Sequence, residues 1–115
     1  MSIAVINLHP DYSNSKRCKD IIEALKNAGI TNIHNPRESI KVWDFTKEHV
    51  AAEQEVMKNA QHLVFVYPIH WFAMPAWAKA WLDQTFTDGF ALNYSGARKA
   101  QLDGKKLTVI CSAGG

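Results

Sequence analysis

The chain has few cysteines, few prolines and no long apolar run. Its two cysteines, Cys18 and Cys111, stand far apart among 115 residues and show no CxxC or metal-ligand spacing. This excludes a disulfide framework and a cysteine-bound zinc site, and it favours two buried free thiols in a cytoplasmic protein. No apolar stretch reaches the roughly 18 residues of a membrane span. The opening segment MSIAVINLHP is too short and too uncharged for a signal peptide and predicts a strand instead.

The chain also has no large excess of charge of one sign, since it contains 13 Lys and Arg and 11 Asp and Glu. The densest basic cluster, Lys16, Arg17 and Lys19, opens a predicted helix, which favours a solvated face over a nucleic-acid patch. His49 and Glu53 are four residues apart on another predicted helix, with no further ligands near them in the sequence. We interpret them as a solvated pair, and we predict neither a metal site nor a nucleic-acid partner.

Four strand-like segments alternate with helical patterns along the whole chain. The segment 3–7 is a short apolar run, 31–35 a weak strand near a sheet edge, 62–68 the strongest strand, and 106–112 another buried strand. A helix over 16–29 is predicted from an apolar stripe, with Ser15 as N-cap and Gly29 just past its end. Its stripe comprises Cys18, Ile21, Ile22, Leu25 and Ala28.

Two further helices follow, over 47–61 and 75–86, the second with Pro75 in its first turn. Only the segment 36–46 is ambiguous. The β-α-β-α-β-α-β order predicts one domain, residues 1–115, with a parallel sheet between two helix layers, a three-layer α/β/α fold. In such folds ligands bind beyond the carboxyl ends of the strands. Three loops then form one candidate site: HPDYSNS (9–15), PIHWFAMP (68–75) and SAGG (112–115).

Each loop has a functional and a purely structural interpretation. The first offers hydroxyls and a helix N-terminus, which suit a phosphate but also suit simple capping by Ser15. The second offers aromatic surface between two prolines, either a wall for a planar ring or a hydrophobic plug or dimer contact. The third, rich in glycine, allows close approach of a ligand or forms a plain turn. Their place at one sheet edge favours a flat, phosphorylated cofactor.

The motifs also carry a resemblance to a known family. HPDYSNS after the first strand, P-x-x-W-x-x-x-P followed by A-W-x-K-A-W-L-D, and LDGKKLTVICSAGG at the end are the residues concerned. With them the chain resembles the flavodoxin-like NAD(P)H dehydrogenase (quinone) family, which includes quinone reductases and ancillary flavoprotein subunits of potassium efflux systems. The resemblance implies a flavodoxin-like parallel sheet that is incomplete after its fourth strand, because members of the family are longer.

The same resemblance implies a flavin site, FMN or alternatively FAD, at the three loops. His9, Ser13, Ser15 and Lys16 would surround the flavin phosphate. Main-chain groups of the second loop would face the N5 and O4 edge of the isoalloxazine, and the last loop would approach its pyrimidine side. These two sets are Pro68, Ile69, His70, Trp71 and Phe72, and Ser112, Ala113, Gly114 and Gly115. Whether His70 acts through its side chain or its backbone is left open, and no catalytic side chain is identified.

The function implied is an oxidoreductase that passes hydride from NAD(P)H through the flavin to a quinone or similar acceptor, in a cytoplasmic homodimer. Two alternatives stand beside it. One is a regulatory flavoprotein subunit of a potassium-efflux-type transporter, and the other is a non-catalytic fragment that only self-associates.

Overall fold

Four parallel strands form one sheet in the order β2-β1-β3-β4. The computed structural model describes residues 2–11, 16–87, 89–91 and 100–113. The strands are β1 (Ile3–Asn7), β2 (Ile33–His34), β3 (His62–Pro68) and β4 (Lys106–Ser112), and the helices are α1 (Arg17–Asn27), α2 (Pro36–Ser39), α3 (Lys47–Lys58) and α4 (Ala76–Thr85). The predicted alternation is confirmed, and the ambiguous segment contributes the short helix α2.

Two apolar clusters, one on each face of the sheet, confirm the three layers. Successive side chains of a strand point to opposite faces. Val64 and Val66 of β3 therefore pack against α1, through Cys18 and Ile22. The alternate residues Leu63 and Phe65 pack against α3 and α4, where the buried side chains are Met57, Trp77, Ala78 and Trp81. Both β1 and β3 are buried on both faces, which explains their continuous apolar sequences.

The helix ends differ slightly from the predicted ones. The N-cap of α1 is Lys16, whose carbonyl accepts from the amide of Asp20 at 3.1 Å, so the prediction of Ser15 as the cap is wrong by one residue. Gly29 follows the C-cap with φ of 92°, a conformation that glycine adopts without steric cost, as predicted. Pro75 is the N-cap of α4 and not part of its first turn.

Glu53 contradicts the interpretation of a solvated pair, because its side chain is only 3% exposed. Its Oε1 accepts hydrogen bonds from Trp81 Nε1 at 2.9 Å and from His34 Nε2 at 2.8 Å. His49 instead closes a capping box with Thr46 at the start of α3. A buried carboxylate is tolerated only when it is hydrogen-bonded. The His34–Glu53–Trp81 network therefore ties β2, α3 and α4 together.

Of the two cysteines, Cys18 is buried as predicted, but Cys111 is exposed. The reason is that β4 lies at the edge of the sheet, where Leu107 and Val109, on the same face as Cys111, are also about half exposed, at 55% and 46%. No helix within the described residues has both the length and the apolar character needed to cross a membrane.

Candidate functional site

The three loops singled out in the sequence follow β1, β3 and β4, at the end of the sheet where the carboxyl ends of the strands lie. Pro68 of β3 stands opposite Ser112 of β4, and Asn7 of β1 stands opposite Val66. Beyond the strands, the amide of Ile69 donates to the carbonyl of Ser112 at 2.8 Å, and that of Leu8 to the carbonyl of Val66 at 2.8 Å. The predicted convergence is thus confirmed for the described parts of the loops, while the ligand contacts of their residues stay predictions.

Residues 70–73 form a tight two-residue turn with an unusual backbone. The amide of His70 donates to the carbonyl of Ala73 at 2.7 Å, and the amide of Ala73 donates back at 3.1 Å. The central residues Trp71 and Phe72 have φ of 48° and 68°. Two positive φ values define a type I′ turn, which favours Asn and Gly. Holding L-residues with side chains in this region costs roughly 1–2 kcal/mol each.

The side chains of this turn point into solvent. Trp71 is 92% exposed and Phe72 is 96% exposed, so the interpretation of the loop as a plug between helices is wrong. The amides of Ile69 and His70 are already used inside the protein. Among the described residues, the amides of Trp71 and Phe72 take part in none of the backbone hydrogen bonds. The turn therefore offers a ligand two N–H donors beside two aromatic faces.

His9 is held in a defined orientation by the loop after β1. Its amide donates to Asn7 Oδ1 at 3.2 Å, and its ring Nδ1 accepts from the amide of Asp11 at 2.8 Å. Because Nδ1 is an acceptor, the neutral ring carries its proton on Nε2. Burial lowers the pKa of His9 below its usual 6.5; the Asp11 carboxylate opposes this shift, and the nearby His70 adds to it. His9 and His70 thus interact across two loops of the candidate site.

This pKa shift predicts a pH dependence of stability that His9→Gln should reduce. A histidine with a lowered pKa in the folded state binds fewer protons there than in the unfolded chain, so its contribution to stability is lost as pH falls below about 6.5. Urea unfolding of both proteins between about pH 5 and 7.5 measures the effect. The wild-type free energy of unfolding should fall more steeply on acidification, and parallel pH profiles would contradict the assignment.

A cavity of about 320 Å³ lies beside His9, between the ends of β1 and β2. Its mostly polar lining comes from the end of β1, the loops after β1 and β2, α2 and the segment after α2: Asn7, His9, Pro10, Asp11, Asn35, Arg37, Glu38 and Lys41. Within this lining, Asn7 Nδ2 donates to Asn35 Oδ1 at 2.9 Å. Sequence analysis did not single out five of these lining residues: Asn7, Asn35, Arg37, Glu38 and Lys41. The signal was available, because Asn35 directly follows β2 at the same sheet edge as the three loops.

The other predicted site residues are placed as follows. Lys16 is exposed at the start of α1, Ser112 is half-buried, and Ala113 is exposed. Ser13, Ser15, Gly114 and Gly115 lie outside the described residues. In the part of the chain that the structure describes, no group of three or more His, Cys, Asp or Glu side chains could hold a metal ion.

Comparison with known proteins identifies the family. The model of a family described as having a flavodoxin-like fold matches residues 1–115. NAD(P)H dehydrogenase (quinone) 1 of Cavia porcellus is 33% identical over 100 residues, which are 84% of this chain and 36% of that protein. The glutathione-regulated potassium-efflux system ancillary protein KefF of Salmonella schwarzengrund is 30% identical over 116 residues, 98% of this chain and 61% of that protein.

A solved structure shares the fold of this chain. The general stress protein 14 of Treponema denticola, crystallised in complex with FMN, superposes with a TM-score of 0.77 at 28% identity, covering 100% of this chain and 63% of that one. The chain thus spans less than two thirds of the length of these three proteins. With its parallel sheet and the family match over residues 1–115, the chain belongs to the flavodoxin-like fold family.

Proposed function

We propose that this chain carries the flavin site of an FMN-dependent NAD(P)H oxidoreductase whose acceptor is a quinone or a similar small molecule. The observation that carries the proposal is the strained turn at residues 70–73. Because the side chains of this turn are exposed, they contribute nothing to core packing that would offset the strain of its backbone. Strained backbone conformations of this kind are found most often at binding and active sites. The relatives named above, a quinone dehydrogenase and an FMN complex, support this assignment.

The described residues fit a flat heterocycle that bears a phosphate. Trp71 and Phe72 provide aromatic faces and two N–H donors within one turn. His9 provides an Nε2–H donor, and Lys16 provides a positive charge at the start of α1. Main-chain donors and a helix N-terminus are the usual partners of phosphates and of carbonyl oxygens in ring systems. Ser112 and Ala113 would border the third side.

A bound flavin supplies hydride and electron transfer, chemistry that ordinary amino-acid side chains do not provide. The protein's part is to hold and orient the cofactor. Donors at Trp71 and Phe72 would stabilise negative charge on acceptor atoms at the ring edge. The hydrogen bonds within the turn fix the direction of those donors, and the bond from Ile69 to Ser112 anchors the turn to β4. His70, exposed beside His9, would add a second imidazole near the same ligand.

Turnover tests the proposal directly. The purified chain is loaded with FMN, desalted and mixed with NADH or NADPH and a soluble quinone such as a short-chain benzoquinone. We expect oxidation of the nicotinamide at a rate well above that of free FMN at the same concentration. Double-reciprocal plots of rate against quinone concentration, at several nicotinamide concentrations, would give parallel lines if donor and acceptor use one pocket in turn. A rate equal to that of free FMN would remove the enzymatic function from this chain.

The second candidate function is that of an ancillary flavoprotein of a potassium efflux system, because the similarity to the KefF protein covers 98% of the chain. Here flavin binding would stabilise a docking surface. This candidate predicts that the protein co-purifies with a membrane transporter and that mutation of the docking face abolishes transport control without changing quinone turnover. FAD as the cofactor, the homodimer and the cytoplasmic location stay predictions of the sequence.

A further inference from the structure

The buried Asn7 and the half-buried Asn35 form an amide pair where β1 and β2 end, beside the candidate site. Asn7 is 1% exposed. Its Nδ2 donates to Asn35 Oδ1 at 2.9 Å, and its Oδ1 accepts from the amide of His9 at 3.2 Å. Both ends of the Asn7 side chain are therefore used to connect β2 to the loop after β1. Asparagine at the end of a buried strand is unfavourable unless its polar atoms are satisfied.

Asn35 is itself held firmly on both sides along the chain. The preceding residue, His34, is bonded to the buried Glu53, which is bonded in turn to Trp81. The following residue, Pro36, is buried and restricts the backbone. The side chain of Asn35 is thus presented to Asn7 from a rigid part of the fold. A continuous path of contacts runs from the α3–α4 core through Asn35 and Asn7 to His9.

The end of this path is the ring of His9. Asn7 holds the backbone amide of His9, and the loop then turns so that the amide of Asp11 donates to His9 Nδ1 at 2.8 Å. This bond assigns the proton of the neutral ring to Nε2. The Asp11 amide therefore sets which ring nitrogen is a donor, and the path from Asn35 through Asn7 holds the backbone of His9 that carries the ring.

We propose that Asn7 and Asn35 are positioning residues for the flavin phosphate, acting through His9, whose Nε2–H they hold in place as a phosphate donor. The inference rests on the proposed flavin site and adds the residues that give it preference for a phosphorylated flavin. A purely structural amide pair would affect every ligand of the site alike. A pair that positions a phosphate donor affects only ligands that carry the phosphate.

FMN and riboflavin differ only in that phosphate, so they form a matched pair of probes. We would measure the dissociation constants of both by quenching of flavin fluorescence, for the wild type and for Asn35→Ala. Wild type should prefer FMN. In Asn35→Ala the riboflavin-to-FMN ratio of dissociation constants should fall about tenfold, the usual effect of losing a hydrogen bond to a charged group, while riboflavin affinity changes little.

Asn32→Ala is the matched control. It removes an exposed asparagine side chain at the other end of β2, directly before the strand begins. It should leave the ratio unchanged. Asn35→Ser has a polar side chain that is too short to reach Asn7, so it should behave like Asn35→Ala. It replaces the alanine variant in the titrations if that variant does not fold. Thermal melts confirm that each variant is folded at the temperature of the titration.

The outcomes separate the two proposals. A ratio that is high in wild type and falls in the Asn35 variants, but not in Asn32→Ala, supports the positioning role. A high ratio that survives Asn35→Ala or Asn35→Ser overturns it and leaves the proposed function intact, as does equal affinity of wild type for both flavins. Absence of binding of either flavin to wild type overturns the proposed function and, with it, this inference.

Discussion

Trp81→Ala is expected to lower the free energy of unfolding by about 3–5 kcal/mol, the usual cost of removing a buried large aromatic side chain. Trp81 is completely buried between the sheet and α3. Its ring stands edge-on to Phe65 at a centroid distance of 5.6 Å, and its Nε1 donates to Glu53. The variant loses the packing and one of the two hydrogen bonds of a buried carboxylate. Since domains are stable by only about 5–15 kcal/mol in total, urea denaturation should show the midpoint shifted strongly downward.

Two further variants make this result interpretable. Trp43→Ala removes a tryptophan that is 53% exposed, and it should cost less than about 1 kcal/mol. Trp81→Phe keeps most of the ring and loses the N–H donor, and it should cost about 1–3 kcal/mol through the weakened support of Glu53. Equal stability of Trp81→Ala and Trp43→Ala would mean that the α4 layer does not pack against the sheet as described.

The double variant Trp71→Asn with Phe72→Gly is expected to stabilise the protein and to weaken flavin binding. Asn-Gly is the preferred sequence for a type I′ turn, so relief of the positive-φ strain should raise the free energy of unfolding by about 1–2 kcal/mol. The same change removes two exposed aromatic faces from the proposed site. Stacking of a flat ring on an aromatic side chain is worth about 1–3 kcal/mol. FMN affinity should therefore fall on the order of a hundredfold.

Trp71→Ala is the control that separates strain from stacking. Alanine at positive φ keeps the strained backbone, so this variant should lose FMN affinity without gaining stability, and its fold should survive. Unfolding curves and FMN titrations on the three proteins measure both effects. Unchanged FMN affinity in the double variant would remove the turn from the site, whatever its effect on stability.

Much of the fold follows from local sequence patterns. The strands 3–7 and 62–68 have the predicted bounds, because continuous apolar runs bounded by polar loops are typical of central parallel strands. The predicted edge position of the weak strand near residues 31–35 is confirmed, because β2 is the outermost strand on its side of the sheet. The rule that ligands bind beyond the carboxyl ends of strands also predicts, from the sequence alone, that the loops of His9, Trp71 and Ser112 lie close together.

The features that sequence analysis missed depend on contacts between distant residues. The partners of Glu53 are 19 and 28 positions away, so the spacing of His49 and Glu53 on one helix was misleading. Nothing in the letters Trp71-Phe72 indicates positive φ, because the turn is imposed by the hydrogen bonds of His70 and Ala73 across it. Exposure of Cys111 follows from the edge position of β4 and not from its apolar sequence. The contact of Asn35 with Asn7, 28 positions away, depends on the register of β1 and β2.

The central claim is that the described loops form a flavin site, and one measurement tests it most directly. The purified 115-residue chain is incubated with FMN, desalted, and examined by visible absorption spectroscopy beside a sample without added flavin. We expect the flavin bands to elute with the protein at close to one FMN per chain, with the shifted, structured bands of a ring in an apolar environment. Colourless protein after desalting, with all FMN in the small-molecule fraction, would contradict the assignment of the site.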